Sequence, residues 1–346
     1  KKKIKPFMSF GKMPIANGFL KKEYFKKKFL FNMEVGFSKE ISLFQLNEHP
    51  KPTLMFNKNY PFFTSSSKYM IKHFKNYSKW IKKYYFKNTK NIIEIGSNDG
   101  TFLKNFKSNR TNILGIEPSK NVALVAKKNK INTVNKFFTL KTANNLKKFK
   151  SKTDLICAAN AICHIPNLKD LIKGINSLLS KKGVFIFEEP YLGSMYEKTS
   201  YDQIYDEHIF MFSISSVKKI FNLFNFDLID VQKQKTHGGS MRYVIARKGE
   251  YKIKGTVNKG LFFEKKLNID SLKGCLKFKK DCEKSKKKLR NKIISIKKKN
   301  KNIAGYAATS KSTTILNYCG IDNRHIDFIC DTTRNKIGKF TPKTHI

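Results

Sequence analysis

The segment Glu94-Ile95-Gly96-Ser97-Asn98-Asp99-Gly100 sets two glycines four positions apart, directly after the apolar run Ile92-Ile93-Glu94-Ile95. Glycine is needed where backbone turns tightly and approaches a ligand, so the spacing reads as a strand, a ligand-binding turn and a helix start. The pattern E-x-G-x-x-x-G lacks the G-x-G-x-x-G of a dinucleotide site and the Lys-Ser/Thr end of a P-loop, which demotes NAD and ATP. Glu117-Pro118 closes the next apolar run, 21 positions after Gly96. An acid there can accept hydrogen bonds from both hydroxyls of a ribose. Gly96, Asn98, Gly100, Glu94, Glu117 and Pro118 together point to S-adenosylmethionine. An ordinary strand-turn-helix whose glycines only serve packing is the competing reading, and Glu117 in register favours the cofactor. Asp154 opens a later strand, and Ala159-Asn160-Ala161 follows its end, where Asn160 would face the cofactor's methyl and adenine ends.

The elements that must position these residues alternate. Ile92–Ile95, Ile113-Leu114-Gly115-Ile116, Leu155-Ile156-Cys157-Ala158 and Val184-Phe185-Ile186-Phe187 are short apolar runs bounded by Gly and Asn, and they read as buried parallel strands of an α/β sheet. Ahead of them, spacings of three and four among Met70, His73, Phe74, Tyr77 and Trp80 predict a helix. From Tyr191 to Arg247 the alternation gives way to a polar, aromatic, His-containing insertion that closes on the strand-like Met241–Ala246. A long helix is then expected with Cys275, Phe278, Cys282, Leu289, Ile293 and Ile296 on one face. The last segment restarts an α/β pattern from Ile303 to Cys330.

Composition excludes several classes. The formal net charge is +46, from 71 basic against 25 acidic residues, which would ordinarily point to a polyanion partner. Only six of the basic residues are arginine, the residue whose bidentate fork phosphate readers favour. Lysine is also spread from end to end, so most of the charge reads as compositional drift and no nucleic-acid partner is expected. Aromatics at 13% argue against a disordered polycation. No run of 18 apolar residues could span a bilayer. The six cysteines form no C-x-x-C pair and no secretory leader is visible, so a reduced, cytoplasmic setting is expected. The chain begins without Met and stops at Ile346 just after a strand-and-turn pattern, as a fragment would.

Several segments in order resemble the SAM-dependent C-methyltransferases of nucleotide-activated deoxysugars. They are Glu94–Gly100, Gly115-Ile116-Glu117-Pro118-Ser119, Cys163-His164-Ile165-Pro166, Glu189-Pro190-Tyr191-Leu192-Gly193, Tyr201–His208, Thr236–Arg242 and Ala308–Gly320. The resemblance implies a zinc-binding-like amino-terminal module (1–67), a SAM-binding Rossmann-like domain (68–195) with an active-site insertion and closing strands (196–250), and a second Rossmann-like domain for the nucleotide sugar (251–346). The module departs from the pattern: Met13–Leu20 resembles its characteristic turn, but Ser38 and Ile41 stand where a cysteine pair belongs, so structural zinc is not expected. Ala307 likewise stands where the family usually has glycine.

The resemblance also implies the chemistry. A carbon next to the keto group of an NDP-4-keto-6-deoxyhexose is deprotonated and then methylated. His208 is the candidate base, Glu207 would orient or tune it, and Tyr205 would hydrogen-bond the keto oxygen. His164 and His237 are rival site residues, the latter opening a Gly-Gly-Ser loop. Arg242 and Lys311 are candidate ligands for the diphosphate. The segment Tyr60–Ser67 resembles one that closes over the sugar. Two other readings stay open: methylation of another acceptor such as RNA, and an inactive nucleotide-sugar-binding homologue. The nucleotide, the methylated carbon and the oligomeric state are not legible.

Overall fold

In the computed structural model, which describes residues 4–26 and 29–346, the apolar runs become strands. The first are β1 (Pro6–Pro14), β2 (Leu30–Ser38) and β3 (Leu43–Leu46). Then come β4 (Asn91–Ile95), β5 (Asn112–Ile116), β6 (Thr133–Val134), β7 (Thr153–Ala159) and β8 (Leu179–Pro190). They are followed by β9 (Phe210–Met211), β10 (Phe226–Gln234), β11 (Ser240–Arg247), β12 (Ala304–Tyr306) and β13 (Phe328–Cys330).

The chain divides into two compact units, one of residues 52–190 and 214–263, the other of 1–51, 191–213 and 264–346. This differs from the four consecutive pieces expected from sequence. The chain leaves the first unit after β8 and re-enters it at Ile214, so the insertion belongs with both ends of the chain.

The first unit carries a seven-stranded sheet in the order β10-β11-β8-β7-β4-β5-β6. Strands β4 to β8 run parallel, and β11 lies antiparallel between β8 and β10. From β4 the chain builds outward to β5 and β6, then returns to lay β7 on the other flank. This reversal makes the carboxyl ends of β4 and β7 a topological switch point, where ligands of open α/β sheets bind. One core gathers Ile92, Leu155, Cys157, Ile186 and Val244 from the strands with Met70, Phe74, Tyr77 and Ile81 of the helix Lys68–Tyr85, as the spacing of three and four predicts. Ser67 caps that helix by accepting the Met70 amide. The helix start expected after Gly100 is instead a 3-10 turn, Leu103–Phe106. Phe102, Leu103 and Phe106 are all buried, and three apolar anchors in five residues leave no room for a longer two-faced helix.

The second unit holds an antiparallel sheet, β1-β2-β3-β9, and a parallel pair, β12 and β13, joined by the helix Ser310–Cys319. That pair is the βαβ block expected of a Rossmann-like carboxy-terminal region. Met8, Phe10, Met13, Met33 and Val35 pack into one core with Cys275, Phe278 and Cys282 of the helix Leu272–Lys297. Buried apolar side chains of this size stabilise by about 1.5–3 kcal/mol each. The amino-terminal strands are therefore held by packing, and Ser38 and Ile41 offer no thiolate to a metal. Among the described residues no helix is long and apolar enough to cross a membrane.

Candidate active site

The loop after β4 has the conformation its glycines imply. Gly96 and Gly100 lie at φ +70° and +78°, and Asn98 between them at 48°. A Cβ on Gly96 would stand 2.5 Å from Cβ of Ala161, so the loops after β4 and β7 touch across the switch point. Glu117, at the end of β5, accepts the amides of Asn98 through Oε2 (2.9 Å) and of Ser119 through Oε1 (2.7 Å). Burial pushes its pKa up, and those two amides oppose the shift. Pro118 sits between these anchors, its carbonyl accepting Nδ2 of Asn135.

The residues fit S-adenosylmethionine. Glu94 Oε2, Ser97 Oγ and Asn160 Oδ1 are buried polar atoms without a hydrogen-bond partner, all from the ends of β4 and β7. Buried polar atoms are rarely left so unless a ligand or water completes them. Glu94 is enclosed, with a raised pKa caused by burial and by Asp99, partly offset by the Leu103 amide. The side chain of Asn98 is engaged elsewhere than expected: its Nδ2 donates to Phe62 O (3.1 Å) and its Oδ1 accepts the Thr64 amide (2.9 Å). With Ser65 N on Asp99 (2.8 Å) and Asn121 Nδ2 on Tyr60 O (2.8 Å), these bonds strap the segment from Tyr60 to Ser65 to the cofactor loops.

Two acids at the end of β8, Glu188 and Glu189, were given no role by the sequence reading. Glu189 Oε1 accepts three successive amides, Ala161 (2.9 Å), Ile162 (2.6 Å) and Cys163 (3.4 Å), which are the first donors of the 3-10 turn Ile162–His164. Burial raises its pKa from 4.5 to about 7 against the Cys163 thiol and those amides. Glu188 accepts His73 Nε2 (2.8 Å), Thr236 Oγ1 (2.9 Å) and Arg242 Nε (2.7 Å). Burial would raise its pKa, but His73 and Arg242 outweigh it and the carboxylate is held low.

That ion pair corrects the expectation for Arg242. Its side chain is buried in the sheet unit, with Nη1 on Gln232 and the guanidinium 3.8 Å from the centre of the Tyr77 ring. A guanidinium so enclosed and already paired is a structural group, not a ligand for an arriving diphosphate. His164 stacks on Phe56 with ring centres 5.4 Å apart, and its pKa falls to about 4 through burial and the nearby His237. Its imidazole is therefore neutral at working pH. His237 (φ 50°) opens a left-handed run continued by Gly238 and Gly239, and the Gly239 amide is used internally on Thr236 O (2.8 Å).

In the second unit, Tyr205 and His208 come together: the Tyr205 hydroxyl lies 2.8 Å from His208 Nε2 and their rings are 4.0 Å apart. His208 Nδ1 lies 2.8 Å from the carbonyl of Gln203. A carbonyl can only accept, so in the neutral ring Nδ1 carries the hydrogen and Nε2 keeps the lone pair. The orienting group is thus the Gln203 carbonyl. Glu207, expected in that role, turns to Asn17, whose Nδ2 donates to its Oε1 (2.9 Å). Its neighbour Asp206 accepts the Ala16 amide (3.2 Å). Burial raises the pKa of both acids, with Asp206 pushed further by Glu207. Lys311, in the first turn of the helix Ser310–Cys319, has a pKa lowered by burial and partly restored by Asp202.

Comparison with known proteins bears on the family. Residues 68–231 match the family described as a methyltransferase domain, and 235–346 match the C-methyltransferase C-terminal domain. C-methyltransferase NovU of Streptomyces niveus is 26% identical over 342 residues, spanning 98% of this chain and 81% of that protein. Two solved structures are similar over about half of the chain. The PH0226 protein of Pyrococcus horikoshii OT3 has 13% identity, a TM-score of 0.44, and 54% and 95% of the two chains covered. An S-adenosylmethionine-dependent methyltransferase of Clostridium acetobutylicum ATCC 824 has 13% identity, a TM-score of 0.41, and 52% and 92% covered. The chain belongs to the S-adenosylmethionine-dependent C-methyltransferases, its methyltransferase domain followed by a C-methyltransferase C-terminal domain.

Proposed function

We propose that the acceptor is a nucleotide-activated 4-keto-6-deoxyhexose, methylated on a carbon next to the keto group with His208 as the base. The observation that carries this reading is the fixed tautomer of His208, whose Nε2 lone pair meets the Tyr205 hydroxyl. When bound, S-adenosylmethionine supplies an electrophilic methyl group. His208 Nε2 takes the proton from the carbon beside the carbonyl, a transfer for which neutral imidazole suits the working pH. The Tyr205 hydroxyl, released from Nε2 as the ring gains its proton, donates to the keto oxygen as enolate charge develops. Gln203 O accepts the second N–H of the resulting imidazolium and so stabilises its charge. Glu207 turns its carboxylate to Asn17.

Lys311, in the first turn of its helix, is a cation that suits the anionic diphosphate of such an acceptor. The deoxysugar class itself is supported by the resemblance of Tyr205–His208 and Ala308–Gly320 to enzymes that act on it. The test is incubation with isotopically labelled S-adenosylmethionine and a panel of nucleotide 4-keto sugars, read by mass and by NMR of the new methyl. A carbon-bound methyl beside the keto group is the expected product. Transfer to RNA, or to no member of the panel, would overturn the assignment.

A further inference from the structure

Nothing in the reaction as derived uses Glu189, yet it is a buried carboxylate in contact with the loop that walls the cofactor's switch point. Its Oε1 collects the amides of Ala161, Ile162 and Cys163 at 2.9, 2.6 and 3.4 Å. These are the amides that a 3-10 turn cannot satisfy from within itself. The acceptor is therefore supplied from the neighbouring strand β8, immediately beyond Glu188, whose carbonyl takes the Asn160 amide at 2.8 Å. Ala161, the first residue so held, is the one whose Cβ closes on Gly96 of the cofactor loop. Asn160 before it is in the left-handed region at φ 53°, a conformation that costs an L residue energy and must be maintained by its surroundings. Oε2 of the same carboxylate is buried with no hydrogen-bond partner, so the group is placed for its bonds to the turn through one oxygen.

We infer that Glu189 is a positioning residue for the methyl donor: by fixing the turn 161–163 against Gly96, it sets the wall of the S-adenosylmethionine site formed after β7. The requirement is an acceptor atom at the position of Oε1, and a negative charge is not part of it.

The experiment measures S-adenosylmethionine affinity by calorimetry and amide hydrogen exchange over residues 160–164 in the full chain. Three variants are compared, Glu189→Gln, Glu189→Asp and Glu189→Ala. Glutamine keeps the acceptor at full reach, so its affinity should stay within about threefold of the parent. Aspartate keeps the charge but withdraws the oxygen by one methylene, and alanine removes it. Both should weaken binding about tenfold or more, the worth of one such bond, and both should speed exchange over 160–164. Melting temperatures recorded beside each titration identify a loss that reflects unfolding alone. Affinity unchanged in a folded Glu189→Asp or Glu189→Ala would overturn the inference. So would a folded Glu189→Gln that binds as weakly as Glu189→Asp, because charge would then be the requirement. Should the alanine variant not fold, the comparison of glutamine with aspartate decides alone.

Discussion

Replacing Gly96 by alanine probes the switch point with a single methyl. Two costs can be worked from the structure. Gly96 lies at φ +70°, where an L residue loses about 1–2 kcal/mol. The new Cβ would also stand 2.5 Å from Cβ of Ala161, well inside van der Waals contact. Ala161 cannot retreat freely, because its amide and the next two are fixed on Glu189. Overpacking of this kind costs about 1–3 kcal/mol, giving about 2–5 kcal/mol in all. Urea unfolding measures the stability, and calorimetric titration should show S-adenosylmethionine binding weakened at least about tenfold, the equivalent of 1.4 kcal/mol. Adding Ala161→Gly to Gly96→Ala removes the clash and leaves the backbone cost, so the double variant should recover about 1–3 kcal/mol relative to the single one. A coupling within about 0.5 kcal/mol of zero in that cycle, or a Gly96→Ala protein as stable as the parent, would refute the claim that the two loops are in contact.

Three further outcomes follow from the same coordinates. Arg242→Met strips the guanidinium from Glu188 Oε2, leaving only His73 and Thr236 on the other oxygen, and should destabilise by about 3 kcal/mol in urea, with the KM for acceptor unchanged; a stable variant with a raised KM would return Arg242 to the substrate. Burial raises the pKa of Glu189 from 4.5 to about 7, so its contribution to stability is present below 4.5 and lost as pH rises through 7. Glu189→Gln should therefore gain on the parent by about 3 kcal/mol between pH 5 and 8, and a difference independent of pH, from unfolding curves at several pH values, would contradict this. Lys311→Ala should raise the KM for a nucleotide-sugar acceptor about tenfold, with kcat and S-adenosylmethionine affinity within about twofold; an unchanged KM would remove Lys311 from the diphosphate.

What the sequence made legible was whatever depends on residue type and local spacing. Two glycines four apart after an apolar run, and Glu117 a fixed distance on, were sufficient to place a tight turn at the end of β4 and an acid at the end of β5. The spacing of Met70, Phe74 and Tyr77 placed the helix that packs on the sheet. The misses share a different physical origin. The group that orients His208 is a main-chain carbonyl, and Gln203 carries no trace of that in its side chain. Adjacency in sequence argued for Glu207 in that role, but its carboxylate leaves toward Asn17 instead. Arg242 was read as a candidate diphosphate ligand because the acid that neutralises it, Glu188, stands 54 positions away and meets it only through the pairing of β11 with β8. Glu189 was quoted as part of a motif, yet its role depends on a turn 26 to 28 residues earlier. Long-range pairing likewise gathers the ends of the chain and the insertion into one unit, which no reading in linear order anticipates.

The central claim concerns a proton, and it can be tested without methyl transfer. A nucleotide 4-keto-6-deoxyhexose is incubated in D₂O with the parent protein and S-adenosylhomocysteine, then with His208→Asn, and deuterium at the carbons beside the keto group is followed by NMR. The account predicts enzyme-dependent exchange at one carbon with the parent and none above background with His208→Asn, whose S-adenosylmethionine affinity is unchanged. Exchange at the parent rate in the variant would contradict His208 as the base.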